Sequence, residues 1–506
     1  MPHEPVELTV RGSMSENQEP DASIENSRAS VARNTRSMVS SQAATWLLAP
    51  ILAAAVPRFI GPEGFGQIRI ASSIWALVSV ILPFGTYTVL TVKFARSTGT
   101  EQMFRSALGM ECILYLAGAI PIILYTISAS YEPQLKWAII LTGISPVFYA
   151  YGETSRAVFY GSERMSFPAK IDVLTKVFTV ALSLGVLAMG GRVLALIIVS
   201  GIVAILYATL MLSGIRHQLN FRISPQFRGI RQVARQGAPF LITELSIVIY
   251  RQSDALFLSR LADAAQVGYY SAAETLLGSL LVVPTIALTV LLPALARVSE
   301  ADPANGLRIV RRGMHTIFIV TVPMGLGVII LGNQIAVILF GNSFRRSGPV
   351  LGAMGLVLIV MVPSILIGNY SATIHRQSRW AVITLAAIGA SIPLYYILIP
   401  WASQHYGNGA FGAALVFAIT EAVILVMATI LIVPSLWTSE LMSGALKACL
   451  CGAIMTGATW PLRHAFLPVP LTVGIVTYVA GVFALRALDA DESRFIHGAW
   501  SKLRSR

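Results

Sequence analysis

The sequence predicts an all-α, polytopic membrane protein with about fourteen transmembrane helices. Three observations carry this reading. Of 506 residues, 55% are hydrophobic and only 12% are charged, about half the charged share of a soluble domain. Apolar runs long enough to cross a bilayer, which takes about 20 helical residues, recur from Met38 to Leu488. Lys and Arg gather in the short connections after every second run, the pattern that holds loops in the cytoplasm.

Taken in order, the first 37 residues are polar, mixed in charge and without the apolar stretch of a cleavable signal peptide. They read as a disordered cytosolic tail, with Arg28, Arg33 and Arg36 holding the N-terminus inside. Spans follow at 38–59, 68–92, 106–128, 135–158, 166–188 and 193–215, an N-lobe of six helices covering 38–215. Residues 216–236 form a basic cytosolic linker with Arg216, Arg222, Arg228, Arg231 and Arg235. Six more spans, at 237–259, 267–292, 314–333, 348–373, 380–400 and 409–433, form a C-lobe covering 237–433. Two further spans, 442–461 and 468–487, occupy 434–487, and 488–506 reads as a second cytosolic tail.

Connections after even-numbered spans are then cytoplasmic. The opposite connections carry fewer cations, among them Arg58, Arg69, Lys136 and Arg192. With the tails included, the inside-to-outside ratio is about three to one, which agrees with the even span count and places both termini in the cytoplasm. The net charge of +13 is therefore topogenic, and no nucleic-acid partner is expected.

The two lobes resemble each other. "RFIGPEGFGQIRIASSIW" begins at Arg58 and "RLADAAQVGYYSAAETLL" at Arg260. Gly66 matches Gly268, Pro83 matches Pro284, Arg96 matches Arg297 and Pro121 matches Pro323, at an offset within about one residue of 202. Six helices per repeat is an even number, so both repeats have the same orientation. Parallel repeats are related by an axis along the membrane normal, with substrate near the midplane between them.

The seventh span contains Glu244, Arg251 and Asp254. Each charge near the bilayer centre costs at least about 2.5–3.5 kcal/mol. At about 100° per residue, Glu244 and Arg251 nearly eclipse and Asp254 lies about 60° further round. One narrow face thus carries all three, and it must meet a bundle interior or a wet cavity. Three charges do not cancel. The repeat mates, Gln42, Ala49 and Leu52, are uncharged, so the repeat itself does not require them. Arg251 would meet an anionic group, since its planar guanidinium donates bidentate hydrogen bonds to phosphate. Glu244 and Asp254 would offer protonation or cation sites.

Glu153 and Arg156 lie three apart in the fourth span, and Asp172 and Lys176 four apart in the fifth. Neighbours at those spacings can neutralise each other, and Lys176 can snorkel from near a helix end. Glu153 and Asp172 are further ion-coupling candidates. Glu111, Glu274 and Glu421 are more isolated. Tyr160 lies close to the fourth-span charges and Tyr250 adjoins Arg251. Both could stack on sugar rings, or belong to interfacial aromatic belts.

Other chemistry is excluded. "GNGAFG" at 407–412 has dinucleotide-site spacing but links two membrane helices instead of following a strand, so its glycines serve a tight turn and close packing. There is no Walker A sequence, no HExxH and no GxSxG. Cys112, Cys449 and Cys451 lie in apolar runs without metal-ligand spacing. No metal site and no cofactor are expected.

Several stretches carry a family resemblance. "PRFIGPEGFGQIRIASSIW" resembles the first helix–loop–helix of bacterial polysaccharide flippases. "YRQSDALFLSRLADAAQVGYYSAAE" is similar to their seventh helix and following turn, and "LIPWASQHYGNGAFGAALVFAITEA" to their helix eleven–twelve corner. The chain thus resembles Wzx-type oligosaccharide-lipid flippases of the multidrug/oligosaccharidyl-lipid/polysaccharide exporter superfamily. The resemblance implies two MATE-like six-helix lobes plus two C-terminal helices, working by alternating access in the bacterial cytoplasmic membrane. It implies transfer of undecaprenyl-pyrophosphate-linked oligosaccharide, a cationic central cavity and no enzymatic step. Arg251, Arg156, Lys176 and Arg58 are the cations it points to. A proton or Na+ gradient would drive the cycle, and a polysaccharide polymerase and a chain-length regulator would be partners. The rival cargoes are a drug or a peptidoglycan precursor. A membrane polymerase would need a large external loop, and a scaffold would not need intramembrane charges.

Overall fold

The computed structural model describes residues 20–487. The first nineteen residues of the expected N-terminal tail and all of the C-terminal one lie outside the described residues. The described chain is built of helices α1 (Pro20–Ile81), α2 (Thr86–Ala95), α3 (Glu101–Ser128), α4 (Pro133–Thr142), α5 (Ile144–Gly161), α6 (Ser166–Ala188) and α7 (Val193–Leu219), then α8 (Ile230–Leu261), α9 (Ala264–Ala301), α10 (Pro303–Phe340), α11 (Ser347–Thr373), α12 (Gln377–Tyr406), α13 (Gly409–Leu431), α14 (Ser439–Thr459) and α15 (Pro468–Ala484). Nine helices among the described residues are long and apolar enough to cross a membrane.

The fourteen expected spans all map onto this order, with three local differences. The first two spans run on through a bend at Gly61, whose φ of 73° breaks the helix without ending it. The helix after the bend therefore starts about six residues earlier than expected, and Arg69, counted as a loop cation, is a helical residue. The second span breaks after Ile81, where Phe84 and Gly85 take left-handed φ of 48° and 69°. The fourth span breaks between α4 and α5 at Gly143. There buried Trp75 wedges in: its Nε1 donates to the Ile139 carbonyl at 2.7 Å, and a Cβ on Gly143 would lie 2.4 Å from its ring. Residues 20–37, expected to be disordered, belong to α1; between Pro20 and Pro50 they meet no helix breaker.

Helix starts follow capping chemistry. Thr100, Asp263, Asp302, Asn408 and Thr438 each accept a backbone N–H with the side chain, at α3, α9, α10, α13 and α14. Such caps satisfy donors that a helix start leaves open. The expected tight turn at "GNGAFG" is present: Gly407 ends α12 with φ 60° and Asn408 caps α13.

Chain alternation gives the bundle two ends. The basic end holds the connection 220–229 and the Arg-rich helix termini. The linker is shorter than expected, because α7 and α8 extend into it. It is fastened to α3: Arg105 Nε donates to the Ser224 carbonyl at 3.1 Å and Ser106 Oγ to that of Arg228 at 2.6 Å. The opposite end holds the bend at Gly61 and the α8–α9 turn.

The lobes meet where α1 and α2 pack on α8 and α9. At the opposite end the backbones touch. A Cβ on Gly66 would stand 1.7 Å from the Ala264 carbonyl oxygen, and one on Gly268 1.9 Å from that of Pro62. Gly66 matches Gly268 and Pro62 matches Ala264 at the same offset of 202. The two contacts are thus two-fold copies of each other, as a parallel repeat requires. Nearer the basic end, a Cβ on Gly237 would stand 2.0 Å from the Phe84 carbonyl oxygen. Backbones of the two lobes thus meet near both ends of the interface.

Any side chain at Gly66 or Gly268 must push backbone apart, and overpacking costs about 1–3 kcal/mol. Gly268→Val is expected to lower the thermal unfolding midpoint in detergent by several degrees. Gly327→Ala, where the added methyl meets nothing within 4 Å, should leave it unchanged or raise it. Equal midpoints for Gly268→Val and wild type would contradict the backbone contact.

Candidate functional site

The N-lobe charges form one cluster on α5, α6 and α7. Arg156 donates through Nη1 to Glu153 Oε1 at 3.0 Å and through Nη2 to Asp172 Oδ2 at 2.5 Å. The Tyr207 hydroxyl donates to the same Glu153 oxygen at 2.7 Å. The Tyr160 ring lies 5.4 Å from the guanidinium, within cation–π range. The expected Asp172–Lys176 pairing does not form. Asp172 turns instead to Arg156 across the α5–α6 gap, where the guanidinium fork offers a second donor that an i,i+4 lysine cannot. Lys176 is half-buried and makes no ion pair with a described residue. Arg156 is therefore committed to two carboxylates, and an incoming anion would have to displace one.

The C-lobe acids are held by tyrosines. Asp254 on α8 is buried and accepts from the hydroxyls of Tyr270 on α9 and Tyr395 on α12. Phe257, one turn on, stacks on Tyr395 with centroids 4.8 Å apart. Tyr250 donates to buried Glu421 on α13 and meets Phe417 edge-on. Each carboxylate thus lies at a junction of helices, with its oxygens aimed at hydroxyls instead of lipid, as low-dielectric burial demands. In the N-lobe, buried Glu111 similarly accepts from Thr154.

Arg251 stands apart. It is exposed on α8 and bonds to no described residue. Its helix packs on α1, α2 and α3 of one lobe and on α9, α12 and α13 of the other. The exposed Arg251 side chain thus sits on a helix that contacts both lobes. The neighbouring Gln252 accepts from Ser73 Oγ on α1 at 3.0 Å. Arg69 on α1 pairs with Glu274 on α9 at 2.8 Å. Both bonds cross between lobes. Below the Phe84–Gly237 contact, at the basic end, a cavity of about 1060 Å³ is lined by Phe84, Arg231, Gln232, Arg235 and Gln236.

The shared face expected for Glu244, Arg251 and Asp254 is divided. Asp254 is buried in the C-lobe, Arg251 is exposed and Glu244 is half-buried between these extremes. Arg58 lies far along the chain from them, at the opposite end, where Nη1 donates to the Ile338 carbonyl at 3.4 Å. Arg156 and Tyr160 lie in one lobe, Asp254 and Tyr250 in the other. Sequence reasoning missed Arg69, Gln252, Tyr207 and Tyr395, and read Tyr270 only as an aromatic for sugar stacking or an interfacial belt. The isolated Glu274 was the signal for Arg69, because a lone intramembrane acid requires a cation.

The model of a family described as polysaccharide biosynthesis protein matches residues 55–349. The chain belongs to that family. The match spans the N-lobe, the linker and the first half of the C-lobe, and so contains all the charged residues above except Glu421. Among solved structures, the fold is similar to a lipid II flippase MurJ in an inward closed conformation, with a TM-score of 0.70, 15% identity, 90% of this chain covered and 99% of that one. It is also similar to a multidrug resistance MATE family transporter of the MOP superfamily in an inward-facing conformation, with a TM-score of 0.55, 12% identity and coverage of 81% and 94%. No curated protein matches the sequence. The protein is a multi-pass membrane protein of the polysaccharide biosynthesis protein family, with a two-lobed transporter fold.

Replacing Asp254 tests the tyrosine clasp. Asp254→Ala leaves two buried hydroxyls without an acceptor, at about 1–3 kcal/mol each. Its unfolding midpoint in detergent should fall further than that of Asp254→Asn, which keeps one acceptor. Equal midpoints for the two variants would remove the clasp from the account.

Proposed function

We propose that this protein moves undecaprenyl-pyrophosphate-linked oligosaccharide from the inner to the outer leaflet of the bacterial cytoplasmic membrane, for surface polysaccharide synthesis, by alternating access. The observation that carries this is Arg251: a guanidinium without a partner among the described residues, on a helix that contacts both lobes, in a polysaccharide biosynthesis family. A pyrophosphate matches the planar donor fork and neutralises the charge it meets. The Arg-rich cavity below Phe84 lies on the side from which a cytoplasmic substrate enters. The glycan occupies the wet space between the lobes while the lipid tail stays in the bilayer.

Transport then requires the two ends of the lobe interface to open in turn. The bonds Arg69–Glu274 and Ser73–Gln252 break when the lobes part. Asp254 and Glu421, each held by tyrosines that bridge helices of the C-lobe, are the places where a proton or Na+ can alter helix packing and reset the cycle. A polymerase and a chain-length regulator would receive the product. The reading includes no chemical step: the longest break between described helices is 220–229, too short for the external catalytic loop of a polymerase. A peptidoglycan precursor is the rival cargo, because the lipid II flippase shares the fold; family membership favours polysaccharide.

The test is leaflet accessibility in proteoliposomes. Labelled polyprenyl-pyrophosphate oligosaccharide is loaded into one leaflet and an impermeant glycan-modifying reagent is added. Wild type should expose the glycan, and Arg251→Ala should fall at least tenfold, about what one charged hydrogen-bond pair contributes, with membrane insertion intact. Exposure by Arg251→Ala equal to wild type would remove Arg251 from the substrate site. Exchange of a lipid-linked peptidoglycan precursor, with none of the oligosaccharide lipid, would select the rival cargo.

A further inference from the structure

A second basic cavity lies outside the lobe interface, at the basic end between α10, α14 and α15. It has a volume of about 620 Å³. Five permanent cations line it, Arg308, Arg311, Arg312, Lys447 and Arg486, with Glu440 the one acid among the lining residues. These residues come from three separate stretches of chain, so the concentration of charge belongs to the fold and not to one basic run.

The cavity is built. Arg311 donates through Nε to the Leu436 carbonyl at 3.3 Å and through Nη2 to that of Ser435, which fixes the α13–α14 connection as one wall. Lys447 Nζ donates to the Arg486 carbonyl at 3.1 Å, which ties the end of α15 to α14. The His315 ring packs so closely on α14 that a Cβ on Gly444 would lie 2.2 Å from it. Arg308 is exposed and bonds to no described residue. Thr438 and Glu440 place the N-terminal turn of α14 in the wall, and its open N–H groups add to the positive field.

The surroundings name the ligand's other half. Trp437, at the rim, is exposed and packs on Phe318, as aromatic residues do at headgroup level. Leu450 of α14, three residues on from Lys447, and Phe483 and Leu485 of α15, close before Arg486, are exposed apolar side chains. A soluble anion has no use for them, whereas acyl chains do.

We infer that this cavity binds the phosphodiester headgroup of an anionic membrane glycerophospholipid, whose acyl chains lie along α14 and α15. The site lies away from Arg251 and does not depend on the transported cargo. Basic pockets between transmembrane helices at this depth take anionic headgroups, with each cation contributing about fivefold to affinity. The bound lipid would hold α14 and α15 against α10.

The test is native mass spectrometry of the full chain in neutral detergent, titrated with phosphatidylglycerol or phosphatidylcholine of matched acyl chains. Wild type should retain phosphatidylglycerol at least about tenfold more strongly. Arg308→Gln/Lys447→Gln/Arg486→Gln should lose that preference, while Arg222→Gln/Arg228→Gln, on the distant linker, should keep it. Arg308→Gln alone removes a cation that bonds to no described residue and should lower retention about fivefold, so the reading survives misfolding of the triple variant. Equal retention of both lipids by wild type, or unchanged retention by Arg308→Gln, would overturn the site. Displacement of phosphatidylglycerol by inorganic phosphate at equal concentration would show a soluble-anion site and overturn the lipid assignment.

Discussion

The architecture depends on one contact, the paired approach of Pro62 to Gly268 and of Ala264 to Gly66. Two backbones can come this close only because the residue facing each carbonyl, Gly66 or Gly268, carries no Cβ. The contact sets the distance between the lobes and the place of the two-fold axis. The contacts between the lobes follow from it: Arg69 reaches Glu274 and Ser73 reaches Gln252, while Arg251 bonds to no described residue. The contact is backbone packing, so a small rotation loses it at once. That suits an interface that must open.

The second constraint is that lipid satisfies no polar group. Six of the described acids at membrane depth meet it by local means: a guanidinium for Glu153, Asp172 and Glu274, and hydroxyls for Glu111, Asp254 and Glu421. Each solution joins two or more helices, so the charge states and the packing of the bundle are linked. Arg156 and Arg251 look alike in sequence, yet one completes a closed cluster and the other has no partner among the described residues. That difference is why the proposed phosphate contact is placed on Arg251.

Much of this was legible in the sequence, for physical reasons. Span number, the parallel repeat and the basic end follow from bilayer thickness and charge bias, which act residue by residue. The Gly66–Gly268 equivalence was visible as an offset, although nothing in one sequence says that equivalent residues touch. Bends at Gly61 and Gly143 were hidden, because a broken and an unbroken apolar run have the same composition. Side-chain partners were the least legible. Asp172 has a lysine one turn away and chooses an arginine on another helix, because the better donor geometry lies there. Tyr270 and Tyr395 carried no sequence signal, since a tyrosine that clasps an acid reads the same as one at the membrane surface.

The central claim is that the lobes must separate for transport, and one experiment bears on it most directly. Cysteines are placed at Ser73 and Gln252, whose side chains meet across the lobes at 3.0 Å, in a chain with Cys112, Cys449 and Cys451 replaced. A short, reducible bifunctional thiol reagent then joins them in proteoliposomes, and transfer of lipid-linked oligosaccharide is followed before and after reduction. The account predicts arrest in the linked protein and recovery on reduction. Undiminished transfer with the link intact would mean that this interface does not open.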